Sequence, residues 1–335
     1  MKLSRFQAVA SLLLAAVLSA PAWGTNTDAK AAVPGTLNYV EGQVSIGDQT
    51  VGTNDIGSAQ VQADQTLSTG HGKAELLLTP GVFLRLGDNS AVRMISPNLD
   101  TTEVSVEGGS AMLEVSQIYP QNDIRISEDG VTARIEKTGL YAFDTQQREI
   151  RVFDGKAEVQ AGDRNITVKG GHELSLNTDK LKARGFDKKE YEESDLYRFS
   201  SLRSSYLAEA NESSARVYVT NGWYGPGWIG AGWYWNPWFS SYTFIPASGV
   251  LFSPFGWGFY SPLVVYRAPV LVGGFHHFGA GYRPPMVVRS GAFHSRGTVA
   301  RRPIMRAPMR RAAPLAHGFA RGSFHGGFHG SFHRR

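Results

Sequence analysis

Residues 104–115 read Val104-Ser105-Val106-Glu107-Gly108-Gly109-Ser110-Ala111-Met112-Leu113-Glu114-Val115. On either side of the double glycine an apolar side chain recurs at every second position, which is the period of a strand with one buried face. The pattern continues outward in Ile150 and Val152, Ala157 and Val159, and Leu174 and Leu176. Between such runs stand Gly47-Asp48, Asp129-Gly130, Asp154-Gly155 and Gly162-Asp163, pairs that reach positive φ cheaply and are expected to close hairpins. Short strands at a spacing of about 8–12 residues predict an all-β domain over residues 35–186. Periodicity alone leaves sandwich, barrel and solenoid open.

A helix is expected after the strands, over residues 187–212. Asp187 followed three residues later by Glu190 forms the acidic variant of a capping box, and Leu196, Phe199, Leu202 and Tyr206 then fall at helical spacing. Such an amphipathic helix is expected to pack on the β-domain, covering an open edge or end.

The N-terminus carries the three parts of a secretory signal in order. Lys2 and Arg5 supply the charge, Ala8 to Leu18 the apolar stretch, and Ala20-Pro21-Ala22 a small-residue cleavage site. Cleavage is expected after Ala22, so residues 1–22 form the signal and 23–34 a polar linker. The apolar stretch is about half of the roughly 20 residues a membrane span needs, and no transmembrane span is expected elsewhere. The sequence contains no cysteine, so neither a lipid anchor at the cleavage site nor a disulfide framework is available, and stability must come from a packed core.

The net charge of +5 conceals a division of sign. From Gly222 onward there are twelve arginines and no lysine, aspartate or glutamate, whereas everything before it sums to −7. Outside the cytoplasm a basic segment of this kind suits an anionic envelope polymer, and no nucleic-acid partner is expected. Residues 222–285 form a Gly/Pro/Trp-rich segment holding six of the seven tryptophans. It is suited to packing on its own domain, to a membrane interface, or to stacking on sugar rings.

Residues 286–335 form a basic, His/Gly-rich segment whose composition predicts disorder. A Phe-His pair repeats at Phe324-His325, Phe328-His329 and Phe332-His333. His325, His329 and His333 are weak candidates for zinc, copper or nickel, because no carboxylate stands nearby to orient the imidazoles. No metal site is assigned to them, and no cofactor is expected.

The sequence points away from an enzyme. It lacks a nucleophile elbow, a phosphate-cradling loop and a His-Glu-x-x-His helix. His71 and His172 stand beside glycines at turn-like positions expected to be exposed, and the Glu192-Glu193 pair falls on the solvated face of the expected helix.

The β-segment resembles the FecR domain of periplasmic regulators of iron uptake. The likeness is carried by LSTGHGKAELLLTPGVFLRLGDNSAVRMIS (67–96), VEGGSAMLEVS (106–116), IRVFDGKAEVQ (150–160) and VKGGHELSL (168–176). The last two are similar to the family's paired strands around a glycine turn. The resemblance implies an all-β periplasmic domain, solenoid-like or a twisted double sheet, that binds another protein. Two departures stand out. An export signal stands where those regulators carry an anti-sigma segment and a membrane helix, and TGLYAFD (138–144) replaces the family's Gly-Thr-x-Phe-x-Val step. No family binding residue carries over.

Together these features predict an exported, non-catalytic binding module, in the periplasm, at the outer membrane or outside the cell. Its expected partner is an envelope protein or glycan, with the basic aromatic tail giving envelope association. A structural or assembly component of the envelope or matrix is the alternative. Sigma-factor-linked signalling or metal handling by the histidines comes third.

Overall fold

The computed structural model describes residues 31–178, 180–221 and 231–268. The signal with Ala20 and Ala22, residues 222–230, the basic segment and His325, His329 and His333 lie outside the described residues.

Strands follow one another in the order β1 (Leu37–Ile46), β2 (Gln49–Val51), β3 (Thr66–Leu77), β4 (Val82–Leu86), β5 (Ala91–Pro97), β6 (Thr101–Gly108), β7 (Ser110–Val115), β8 (Asp123–Glu128), β9 (Val131–Ile135), β10 (Gly139–Asp144), β11 (Glu149–Asp154), β12 (Lys156–Ala161), β13 (Arg164–Lys169), β14 (His172–Ser175) and β15 (Arg184–Gly185). Helices α1 (Lys188–Glu192) and α2 (Asp195–Asn221) come next, and then two hairpins, β16 (Gly232–Asn236) with β17 (Ser241–Ile245) and β18 (Val250–Phe252) with β19 (Gly258–Tyr260).

The first fifteen strands form one hydrogen-bonded sheet that does not close into a barrel, thirteen of them on a single path and β1 with β2 branching from β3. Long β3 joins its two halves. Thr66–Ser68 pair with β5, at the end of a first sheet ordered β13-β12-β9-β8-β6-β5, whereas Ala74–Leu77 pair with β4, which opens a second sheet ordered β4-β7-β10-β11-β14-β15. β1 follows β3 along this turn, with register shifts at Leu37/Tyr39 and Gly42/Val44. The inner faces share one apolar cluster, in which Leu84, Leu113, Phe143 and Val152 of the second sheet meet Val104, Ile126, Ala133 and Val159 of the first. All-β architecture of the twisted double-sheet kind is therefore the fold.

The chain alternates between the two sheets, and this corrects one expectation. Gly47-Asp48, Asp129-Gly130 and Gly162-Asp163 close hairpins, as the registers Ile46↔Gln49, Glu128↔Val131 and Ala161↔Arg164 show. Asp154-Gly155 does not. β11 pairs with β10 and β14, and β12 with β9 and β13, so the dipeptide carries the chain from the second sheet to the first. Gly170-Gly171 makes the return crossing beside it, with Gly170 N–H donating to the Gly155 carbonyl at 3.1 Å. Gly155 has φ +99, and a Cβ there would lie 2.3 Å from the Tyr141 hydroxyl oxygen. Only glycine lets the strands change sheets in so little chain.

The strands' sequence patterns follow from these layers. The first sheet's outer face meets solvent, so β8 and β12 alternate buried and accessible residues. The second sheet is covered on both faces, so all five residues of β4 are buried and no alternation survives.

Its cover is α2, with the two hairpins. The Asp187 carboxylate caps α1 by accepting from the Lys189 amide at 3.0 Å, but the helix breaks at Glu193-Ser194 before α2 begins. α2 lies over the second sheet's outer face rather than at an edge. Leu196 and Phe199 are buried as the spacing predicts, whereas Leu202 is half exposed and the buried side continues through Ser200, Arg203, Ser204, Leu207 and Asn211. The buried stripe is small and polar because the sheet beneath it is charged.

The aromatic segment, where described, packs on its own domain. Phe244 and Phe259 join Leu77 and Phe83 in one buried cluster, and the rings of Phe83 and Phe259 stack with centroids 6.4 Å apart. Buried asparagines tie these layers together. Asn38 donates to the Tyr242 carbonyl at 3.0 Å and accepts its amide at 2.7 Å, and Asn211 donates to the Phe244 and Tyr260 carbonyls and accepts from the Tyr260 amide.

Candidate functional site

Glu75, Arg85 and Glu114 interrupt the apolar runs of β3, β4 and β7, and all three face α2. Each is fully buried. Arg85 Nε donates to Glu75 Oε2 at 2.7 Å and Nη1 to Glu114 Oε2 at 2.6 Å. Glu75 Oε1 accepts from Arg203 Nη2 at 2.8 Å and from Asn38 Nδ2 at 2.9 Å, while Ser204 Oγ donates to Glu114 Oε1 at 2.9 Å. Two carboxylates and two guanidinium groups leave no net charge, as burial demands. Burial alone would raise the Glu75 pKa, but Arg203 and Arg85 overcome it and hold the carboxyl at about 2. Burial likewise works against the charge of Arg85, yet Glu114 and Glu75 raise its pKa. The ionised network thus fastens α2 onto the sheet.

A second charged cluster continues the same face. Arg151 of β11 donates to Glu173 at 3.0 Å and to Glu149 and Gln147, and its guanidinium lies 3.9 Å from the centroid of the Tyr191 ring. Arg184 joins Glu173 at 2.9 Å and Glu149 at 3.1 Å.

Beside this cluster an open groove of about 360 Å³ runs between the second sheet and the start of α2. Met112, Ala142, Phe153 and Leu196 give it an apolar floor, and Asp88, Asp144 and Asp195 stand on its lining. Arg151 also lines it, but that charge is already engaged by Glu149 and Glu173. Lys73 meets Asp195 at 2.8 Å. With Asp195 paired to Lys73 and Arg151 to Glu149 and Glu173, Asp88 and Asp144 give the groove an excess of carboxylate beside its apolar floor, which suits a segment carrying a Lys or Arg and an apolar neighbour.

Next to it is a different kind of carboxyl. Glu128, at the end of β8, is 1% exposed, and neither of its oxygens has a hydrogen-bond partner. Burial, reinforced by Asp129 and Asp144, raises its pKa to about 8 against the opposing pull of Arg151 and Arg148.

The histidines singled out in the sequence take no part in these sites. His71 is an exposed residue of β3 with Nδ1 3.8 Å from Asp88, and His172 is exposed at the start of β14. Among the described residues no three His, Asp or Glu side chains are grouped to hold a metal ion. Glu192 and Glu193 are exposed. The groove and the buried network escaped sequence reasoning, although a single charge inside each of the runs Ala74–Leu78, Phe83–Leu86 and Met112–Val115 was a visible signal.

Residues 65–158 match the family model described as FecR protein. This stretch is a FecR domain. The match runs from the start of β3 into β12, so the groove draws Asp88, Met112, Asp144 and Arg151 from the FecR domain and Tyr191, Asp195 and Leu196 from outside it. Two crystal structures entitled "putative anti-sigma factor" from Parabacteroides distasonis are similar at 15% and 14% identity, each with a TM-score of 0.33. Each similarity covers 38% of this chain and 62% of the other, so the chain spans less than two thirds of those proteins' length. No curated protein matches the chain. Among the described residues no helix is long and apolar enough to cross a membrane.

Proposed function

We propose that the chain is an exported, non-catalytic binding module whose FecR domain captures a segment of an envelope protein in the groove beside α2. The groove's composition is the observation that supports this reading. An apolar floor beside Asp88 and Asp144 complements a basic, partly apolar peptide. A glycan is less well served in the groove, because sugar stacking needs a free ring face and Tyr191 already holds the Arg151 guanidinium. The export signal supports placing this recognition outside the cytoplasm, with the Arg-rich C-terminal residues favouring envelope association.

A photoreactive amino acid at Ser110, on the groove, should give an envelope-protein adduct in intact cells, whereas one at exposed Thr167 of β13 should not. Replacing Asp88 and Asp195 together by Asn should reduce the adduct while cooperative unfolding persists. Equal adducts at both positions, or indifference to the two substitutions, would sink the proposal. N-terminal sequencing of the exported protein should begin at Trp23.

A further inference from the structure

Trp238 is 90% exposed, the largest exposure among the described large hydrophobic residues. It stands in the four-residue turn between β16 and β17, and that turn is firmly built. Asn236 is buried, and its Oδ1 accepts from the Trp238 amide at 3.0 Å and the Phe239 amide at 3.3 Å. The same side chain donates from Nδ2 to the Ala210 carbonyl and to Ser214 Oγ, each at 3.1 Å, which anchors the turn to α2. Below the turn, Tyr234, Tyr242, Phe244 and Ile245 are buried. The indole is thus presented to water by a rigid support.

The composition of the chain on either side of Trp238 bears on what it meets. Of the seven large hydrophobics that are exposed among the described residues, Trp238, Phe252, Leu263 and Tyr266 all come from residues 231–268. No residue from Gly222 to Tyr266 carries a formal charge, and every charged residue beyond is an arginine. Along the chain, an uncharged aromatic-rich stretch followed by arginines suits the interface of an anionic bilayer, where indole is favoured and arginine adds electrostatic attraction.

We infer that the β16–β17 turn is a membrane-contact element, which places Trp238 in the interface of an anionic lipid bilayer. This deepens the envelope association proposed above. It is independent of the groove, because Asp88 and Trp238 are tested by separate substitutions.

The test uses the chain without residues 1–22, with vesicles of phosphatidylcholine alone or mixed with phosphatidylglycerol. The protein should sediment with the mixed vesicles, and brominated lipid should quench part of its tryptophan emission. Trp238→Ser should weaken the partitioning by about tenfold or more and remove most of that quenching, as expected for losing an apolar group of this size. Trp238→Phe should retain most of the binding. Both variants should melt like the parent, because Trp238 buries little surface. Asp88→Asn should leave vesicle binding unchanged. The inference is overturned if the parent chain ignores anionic vesicles, or if Trp238→Ser binds and is quenched as the parent is. Loss of an envelope-protein adduct by Trp238→Ser with vesicle binding intact also overturns it, since the turn would then be a protein contact.

Discussion

Arg203 of α2 donates to Glu75 of β3 at 2.8 Å across 128 residues of sequence, and both side chains are buried. The pair joins the helical layer to the sheet at a point where neither partner can be replaced by water. Arg203→Met should leave the two buried carboxylates with Arg85 alone. The expected cost is about 3–5 kcal/mol, the range for breaking a buried ion pair from one side. Adding Glu75→Gln should recover part of it, because Arg85 and Glu114 then form a neutral pair. Urea denaturation of both variants measures the difference, and a single-variant loss under ~1 kcal/mol would falsify this account.

Acid should weaken the same junction. The Glu75 pKa is depressed in the folded chain, to about 2 from an ordinary 4.5, so its contribution is fully present above the unfolded value. Protonation removes the contribution as pH falls from about 4.5 towards 2, and it amounts to a few kcal/mol at full ionisation. Glu75→Gln should therefore lose stability against the parent at pH 7 and approach it near pH 2. A gap between the two that stays constant over that range would count against the assignment.

Glu128 should show the opposite sign. Its folded pKa is raised to about 8, so the folded state holds a proton that the unfolded state releases above about 4.5. Its effect on stability is neutral below that value and increasingly unfavourable up to pH 8. Glu128→Gln should stabilise the protein at pH 8, by ~2–4 kcal/mol, and do little at pH 4. Thermal melts at the two pH values decide it; equal shifts would show that titration is not the cause.

Truncation should separate the C-terminal aromatic segment into two parts. A chain ending at Ala268 keeps Phe244 and Phe259 over Phe83 and Leu77 and should unfold cooperatively. One ending at Asn221 exposes Phe83 and Leu77, leaves Asn38 bonded to Glu75 without its Tyr242 partners, and removes the Phe244 and Tyr260 partners of Asn211. Losing roughly 4 kcal/mol of burial should lower its Tm by about 10 °C. Scanning calorimetry compares the two chains, and identical melts would mean that the hairpins are dispensable cover.

Part of this architecture was legible in the sequence because it depends on neighbours along the chain. β6 and β12 were readable from Val104, Val106, Ala157 and Val159, since alternation directly reports a strand with one solvated face. In β7 the period of Ala111, Leu113 and Val115 marked only the inward face, Met112 and Glu114 between them being buried as well. β4 was not readable, because both of its faces are covered and Arg85 lies among apolar residues. The helical stripe was misplaced at Leu202 for a related reason. α2 meets charged side chains, so its buried face contains Ser200, Arg203 and Ser204 rather than aliphatic residues.

By itself, the sequence determined the all-β class, the strand period, three hairpin turns and the separation of acidic from basic halves. These follow from side-chain period, φ preference and composition, which are local quantities. Tertiary structure alone decided that Asp154-Gly155 crosses between sheets, that Glu75 meets Arg203, that Glu128 lies without a partner, and that Trp238 is held out in water. Each of these depends on which segments distant in sequence are packed together, and burial changes both the partners and the cost of a charge or an indole.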